Sequence, residues 1–167
     1  MRGFLSVSQH KVDKKGRVSV PMPIRIALGG QEKGAFVCFP SLLGHWLQAV
    51  TPQQMQSFIG QQDELGAFAG NINAYATLLF AQAIELVPDS DGRIILPPDL
   101  LAHAKIDEDI MFVGQGHYFS IWAPQIFSAE QAKLRQRALD ERINWLVPSN
   151  RQSTPIDRPA TDGGGNG

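Results

Sequence analysis

The feature that most constrains this 167-residue chain is an internal repeat. Asp13-Lys14-Lys15-Gly16-Arg17-Val18-Ser19-Val20-Pro21 returns as Asp89-Ser90-Asp91-Gly92-Arg93-Ile94-Ile95-Leu96-Pro97, with Asp, Gly, Arg and Pro identical and the apolar alternation kept. The offset is 76 residues; carried forward without a gap, it places Ile24 on Leu100, Phe36 on Phe112, Val37 on Val113 and Trp46 on Trp122. Phenylalanines, valines and rare tryptophans matching at one offset argue for duplication of a unit of roughly 45 residues. A unit of that size buries too little surface to be stable alone, so the two are expected to interlock in one barrel-like core.

Each copy reads as β-β-α-β-β. A short β-run leads to a turn at Gly16 or Gly92, then to a second run of period-two alternation that a proline ends. Short helical patterns follow Pro21 and Pro97, over residues 24–28 and 99–104, and strands resume at residues 35–39 and 110–113, with further runs near residues 44–47 and 118–122. Between the copies, Thr51-Pro52 reads as an N-cap and first helical residue, opening a helix to about Gly60. Leu65, Phe68, Ile72, Tyr75 and Leu79 form an apolar stripe of a second helix, weakened by Gly66 and Gly70. Ser128-Ala129-Glu130-Gln131 fits a capping box, with Leu139, Ile143 and Leu146 on one face of the helix that follows. The expected fold class is therefore α+β and β-rich. Its parts are a first repeat over residues 7–51, helices over 52–82, a second repeat over 83–126, a helix over 127–147 and a disordered tail over 148–167.

Apolar residues make up 43% of the chain and charged residues 19%, which excludes a disordered polyelectrolyte. The longest near-apolar run, residues 74–81, contains Thr77 and falls short of the roughly 18 residues of a spanning helix, so no membrane partner is expected. The first ten residues lack the apolar stretch of a secretory signal. A single cysteine, Cys38, leaves no intramolecular disulfide or multi-cysteine zinc site. The cytoplasm is the expected address.

The net charge of -1 conceals an uneven distribution. Residues 1–33 hold Arg2, Lys11, Lys14, Lys15, Arg17, Arg25 and Lys33 against Asp13 and Glu32, a balance of +5, whereas residues 34–104 hold only Arg93 against six acids. A polyanion responds to local potential within a Debye length, so the leading segment is what it would feel. In both turns an acid and an arginine flank a glycine that supplies positive φ. Such an arginine presents a rigid donor fork suited to guanine O6 and N7 or to phosphate, and a two-stranded ribbon fits the DNA major groove. Lys14 and Lys15 would add phosphate contacts that do not read sequence. The plainer reading is that each Asp–Arg pair only braces a hairpin.

These turns, with Arg25, Glu85-Leu86, Phe112-Val113-Gly114 and Phe119-Ser120-Ile121-Trp122, resemble the MraZ family of bacterial transcriptional regulators over residues 1 to about 145. The resemblance implies tandem repeats interlocked as an AbrB-like swapped-hairpin barrel in one chain. It also implies a cytoplasmic, nucleoid-associated protein that forms a ring-shaped homo-oligomer on double-stranded DNA. The ring would bind direct repeats upstream of its own operon, the division and cell-wall gene cluster, and regulate transcription there. Asp13 and Arg17 match the first family motif, and Asp89 and Arg93 the second; with Lys14, Lys15, Gly16 and Gly92 they are the expected DNA-binding residues. Two departures stand out: the second turn carries Ser90 and Asp91 where the first has two lysines, and residues 67–71 lack the paired arginines usual in the family's inter-repeat helix.

Other candidates fall away. His10, His45, His103 and His117 have no ligand spacing, so neither metal nor cofactor is expected. Cys38 sits in an apolar strand as a core thiol, Gly114-Gln115-Gly116 lacks the third glycine of a dinucleotide site, and Asp107-Glu108-Asp109 reads as a solvated turn. With no nucleophile–base pair or phosphate loop, an enzyme is not expected. The alternative function is an antitoxin-like or scaffold module of the same fold, its hairpins binding a protein partner.

Overall fold

Strand alternation places Val18, Val20, Ile94 and Leu96 inside and leaves Arg17, Ser19, Arg93 and Ile95 outside. A computed structural model describes residues 3–29, 32–64 and 74–146. The chain divides into two units, residues 1–131 and 132–167. In the first unit, β1 (Val7–Lys11), β2 (Arg17–Ser19), α1 (Met22–Ala27), β3 (Phe36–Pro40) and β4 (Leu47–Val50) are followed by α2 (Pro52–Glu64) and α3 (Ala74–Gln82). Then come β5 (Ile84–Leu86), β6 (Arg93–Ile95), α4 (Pro98–His103), β7 (Asp109–Gly114) and β8 (Phe119–Trp122). A last helix, α5 (Pro124–Leu146), runs from the first unit into the second. The order β-β-α-β-β occurs twice.

Strand pairing crosses between the two halves. A six-stranded sheet has the order β1-β7-β8-β4-β3-β5, and β2 pairs with β6 in a separate two-stranded ribbon, all antiparallel. Thus β1 has its partner in the second half and β5 in the first. Val18 lies opposite Ile94, its own match at the repeat offset. The Val20 N–H donates to the Gly92 carbonyl at 2.9 Å and the Leu96 N–H to the Gly16 carbonyl at 2.9 Å, the same bond with the halves exchanged.

The offset does not hold throughout. Val7 faces Val113, but Val37 faces Glu85, two residues beyond the strict equivalent; an even slip keeps every side chain on its own face. Pro40 pairs with Leu47 across a longer connection than the one between Gly114 and Phe119, so the run expected near residues 44–47 forms later, as β4. Trp46 and Trp122, matched in sequence, stack on each other with centroids 4.4 Å apart and planes 14° from parallel.

Phe119 is the centre of the core: its ring lies 5.0 Å from Phe4, 5.1 Å from Phe36 and 6.4 Å from Phe112. Ile24 and Leu28 of the α1 segment and Leu100 and Ala104 of the α4 segment join the same cluster. Pro21 and Pro97 are the N-cap residues of these helices, and Pro23 and Pro98 lie in their first turns, where a fixed φ favours the helix. A smaller cluster, Val37, Phe39, Met55 and Leu79, seats α2 and α3 on the sheet. Thr51 and Gln54 cap α2 reciprocally, Gln54 N–H to Thr51 Oγ1 at 3.2 Å and Thr51 N–H to Gln54 Oε1 at 2.9 Å.

The helices depart from expectation in three places. α2 continues past Gly60 to Glu64. Leu79 is buried but Tyr75 is 47% exposed, and the rest of that stripe, Leu65, Phe68 and Ile72, lies outside the described residues. α5 starts at Pro124 rather than 127, the N–H groups of Ile126 and Phe127 both donating to the Ala123 carbonyl. Proline at the first helical position starts the helix early, leaving Ser128 inside it and not at a cap. In the second unit the helix exposes Leu134 and Leu139. The tail over residues 148–167 lies outside the described residues. No helix among those described is long and apolar enough to cross a membrane.

Phe119→Ala is expected to cost about 3–5 kcal/mol by loss of buried area and cavity formation, read as a lowered urea midpoint. Leu43→Ala, at an 86% exposed position, is expected to stay within about 0.5 kcal/mol of the parent.

Candidate nucleic-acid interface

The first turn is built around one carboxylate. Asp13 Oδ1 accepts the main-chain N–H groups of Lys15 and Arg17, both at 2.9 Å, and Oδ2 accepts Arg17 Nε–H at 2.7 Å. The Gly16 N–H donates to the Asp13 carbonyl and the Asp13 N–H to the Arg17 carbonyl, closing the turn. Among the described residues Arg17 pairs through Nε with Asp13, so the two Nη groups remain as donors. The Asp13 carboxyl is held below the usual carboxylate range, chiefly by the Arg17 main-chain N–H and next by its guanidinium. Exposed pairs of this kind contribute little stability. Their effect is to orient the fork.

The second turn repeats the main chain but not the charge. Asp89 Oδ1 accepts the N–H groups of Asp91 and Arg93 at 2.9 Å. Arg93 reaches Asp89 Oδ2 through Nε at 3.4 Å and Asp91 Oδ2 through Nη2 at 3.0 Å, so one guanidinium is shared by two carboxylates. The Asp89 carboxyl is likewise lowered, first by the Arg93 main-chain N–H.

Both glycines have left-handed φ, +80° at Gly16 and +76° at Gly92, and each lies too close to a neighbour for a side chain. A Cβ on Gly16 would meet the Leu96 carbonyl oxygen at 2.5 Å; on Gly92 it would meet Arg25 Nη1 at 2.5 Å and Cζ at 2.9 Å. The guanidinium of α1 therefore covers the second turn. Leu101, the counterpart of Arg25 at the repeat offset, lies over the first, its Cδ1 3.6 Å from the Gly16 Cβ position. A cation from the first half thus lies at the turn that carries Ser90 and Asp91 where the first turn has Lys14 and Lys15, and Arg25 Nε is buried without a hydrogen-bond partner among the described residues. Arg25 follows the first turn in sequence, yet in the structure it lies over the second.

The ribbon also differs from the expected pair of separate hairpins. β2 pairs with β6, setting Arg17 opposite Ile95 and Ser19 opposite Arg93, all four exposed. The two arginines thus share one face as diagonal neighbours, about 7–8 Å apart at Cα. Lys14 and Lys15 are exposed beside Arg17. Lys11, another cation of the leading segment, is engaged elsewhere, pairing with Asp109 at 2.7 Å. The Cys38 thiol is fully buried in β3 and burial pushes it up to about 12, far from a nucleophile's range.

Gly16→Ala and Gly92→Ala each place a left-handed residue at a strain of about 1–2 kcal/mol. The clash at Gly16 is with backbone and at Gly92 with a side chain that can swing away, so Gly16→Ala should give the larger fall in Tm. The lowered carboxyl pKa values set a pH sign. Stability from the Asp13 and Asp89 contacts is fully present above the unfolded value of about 4 and is lost as pH falls through the lower folded values. An acid titration followed by urea unfolding should show a shallower loss in Asp13→Asn than in the parent.

Residues 79–143 match the family model described as "MraZ protein, putative antitoxin-like". The chain is similar to three proteins named "Transcriptional regulator MraZ". That of Pelagibacter ubique (strain HTCC1062) is 36% identical over 135 residues, 81% of this chain and 87% of the relative. Those of Rickettsia bellii (strain OSU 85-389) and Rickettsia akari (strain Hartford) are 33% identical over 144 residues and 34% over 143, in each case 86% of this chain and 96% of the relative. With identity above 30% across most of both chains, and a doubled Asp-x-x-Gly-Arg turn on an interleaved antiparallel framework, this chain belongs to the MraZ family.

Proposed function

We propose that the chain is a transcriptional regulator that binds double-stranded DNA through the β2–β6 ribbon and its two flanking turns. The observation that carries this reading is the placement of Arg17 and Arg93 on one exposed ribbon face, each oriented by an aspartate that its own turn supplies. A ribbon of two strands has the width of the major groove, and an arginine fork matches guanine edges or phosphate. In this reading Asp13, Gly16, Asp89 and Gly92 shape the turns, Arg17 and Arg93 contact DNA, and Lys14 and Lys15 contact phosphate. The names of the relatives support the regulatory role.

The same proposal takes residues 7–51 and 83–126 as two AbrB-like repeats interlocked in a swapped-hairpin barrel, a reading supported by the pairing of β1 with β7, β5 with β3 and β2 with β6. It places the protein in the cytoplasm on the nucleoid, as a ring-shaped homo-oligomer that binds direct repeats in its own promoter and regulates the division and cell-wall gene cluster. Head-to-tail interfaces close into rings and present identical ribbons in one orientation, which suits direct repeats, and linked weak contacts gain effective concentration.

A mobility-shift titration on its own upstream DNA, beside scrambled DNA and at two salt concentrations, tests this. Selective binding should weaken with salt by roughly 0.9 log units per log unit of salt for each phosphate neutralised. Arg17→Ala should cost about tenfold or more in affinity, and Arg93→Ala less, because two carboxylates already hold Arg93. Absence of any preference for its own DNA would overturn the reading in favour of a protein-binding, antitoxin-like module.

A further inference from the structure

The ribbon face that carries the two arginines includes one side chain that electrostatics does not explain. Ile95 stands directly opposite Arg17 and is 60% exposed. Its match at the repeat offset is Ser19, opposite Arg93. Isolated exposed apolar residues are ordinary on protein surfaces. Here, however, the isoleucine is the one apolar member of a four-residue patch whose others are Arg17, Ser19 and Arg93. Alternation requires an outward side chain at this position because Ile94 points inward, but it does not require an apolar one.

The major groove offers one apolar group among its hydrogen-bonding edges, the C5-methyl of thymine. An arginine fork with a branched alkyl group beside it presents both chemistries to adjacent base pairs. Resting on the DNA-binding reading above, we propose that Ile95 determines specificity by packing on a thymine C5-methyl next to the group that Arg17 contacts. The Ser19–Arg93 side of the ribbon has no such group. The difference adds to the unequal charge of the two turns in giving the ribbon a direction on DNA.

The test compares upstream DNA made with thymine against the same fragment made with uracil, which lacks the methyl, for the parent, Ile95→Ser, Ile95→Ala and Arg17→Ala. The parent should bind uracil DNA about fourfold more weakly for each methyl it covers. Ile95→Ser and Ile95→Ala should bind thymine DNA at the reduced level and no longer distinguish the two. Ile95 is exposed, so both variants should keep the parent's Tm and assembly mass. Equal binding of both DNAs by the parent, with Arg17→Ala still impaired, overturns the role of Ile95 alone. Discrimination that survives in Ile95→Ser assigns the uracil effect to DNA shape and also overturns it. A change of assembly mass in Ile95→Ser assigns the residue to contact between copies and overturns it. Failure of the parent to prefer its own thymine DNA overturns this proposal together with the DNA-binding reading.

Discussion

The antiparallel contact between β2 and β6 is the constraint on which the rest depends. Each strand is three residues long and has its ladder partner in the other half of the chain. Val18 and Ile94 meet there with their side chains inward, and the reciprocal bonds of Val20 to Gly92 and Leu96 to Gly16 hold both turns beside the ribbon. Neither half can complete these bonds alone, and buried main-chain groups left unpaired are costly. The same dependence recurs at β1 with β7 and β5 with β3, so the core around Phe119 forms only when both halves are in place. Contacts of such long sequence separation give cooperative, comparatively slow folding.

Much of this architecture was legible because it rests on short elements with sharp chemical boundaries. α1 and α4 begin and end at the same offset as β2 and β6, since proline, glycine and period-two alternation act locally and act alike in both copies. Partner choice was not legible: alternation states which face of a strand is buried, not which strand lies beside it. That is why the two arginines were expected on separate hairpins and why nothing in the sequence set Arg25 over the second turn. The tryptophans carried the relevant signal in another form, for the matched residues Trp46 and Trp122 prove to be neighbours. The early start of α5 was missed because a capping-box pattern at Ser128 competed with Ala123-Pro124, and proline after a strand started the helix first.

Charge is distributed through the fold with similar economy. Each turn aspartate satisfies main-chain donors and also fixes a guanidinium, so the arginines are partly ordered before any ligand arrives, which lowers the entropy lost on binding. Whole-chain charge conveys none of this, because a nearly neutral molecule can carry a strongly polarised face.

Fusion of two matched halves has an evolutionary consequence. In a dimer of identical chains every substitution appears on both sides of the symmetry axis: a leucine in place of Arg25 would strip the guanidinium from both turns, and an isoleucine in place of Ser19 would appear twice. Joined in one polypeptide, the halves drift separately. Arg25 and Leu101, Lys14-Lys15 and Ser90-Asp91, and Ser19 and Ile95 now differ across the axis while the main-chain bonds of the turns remain matched. The main-chain bonds are the same in both halves, and the side chains around them are free to specialise one at a time.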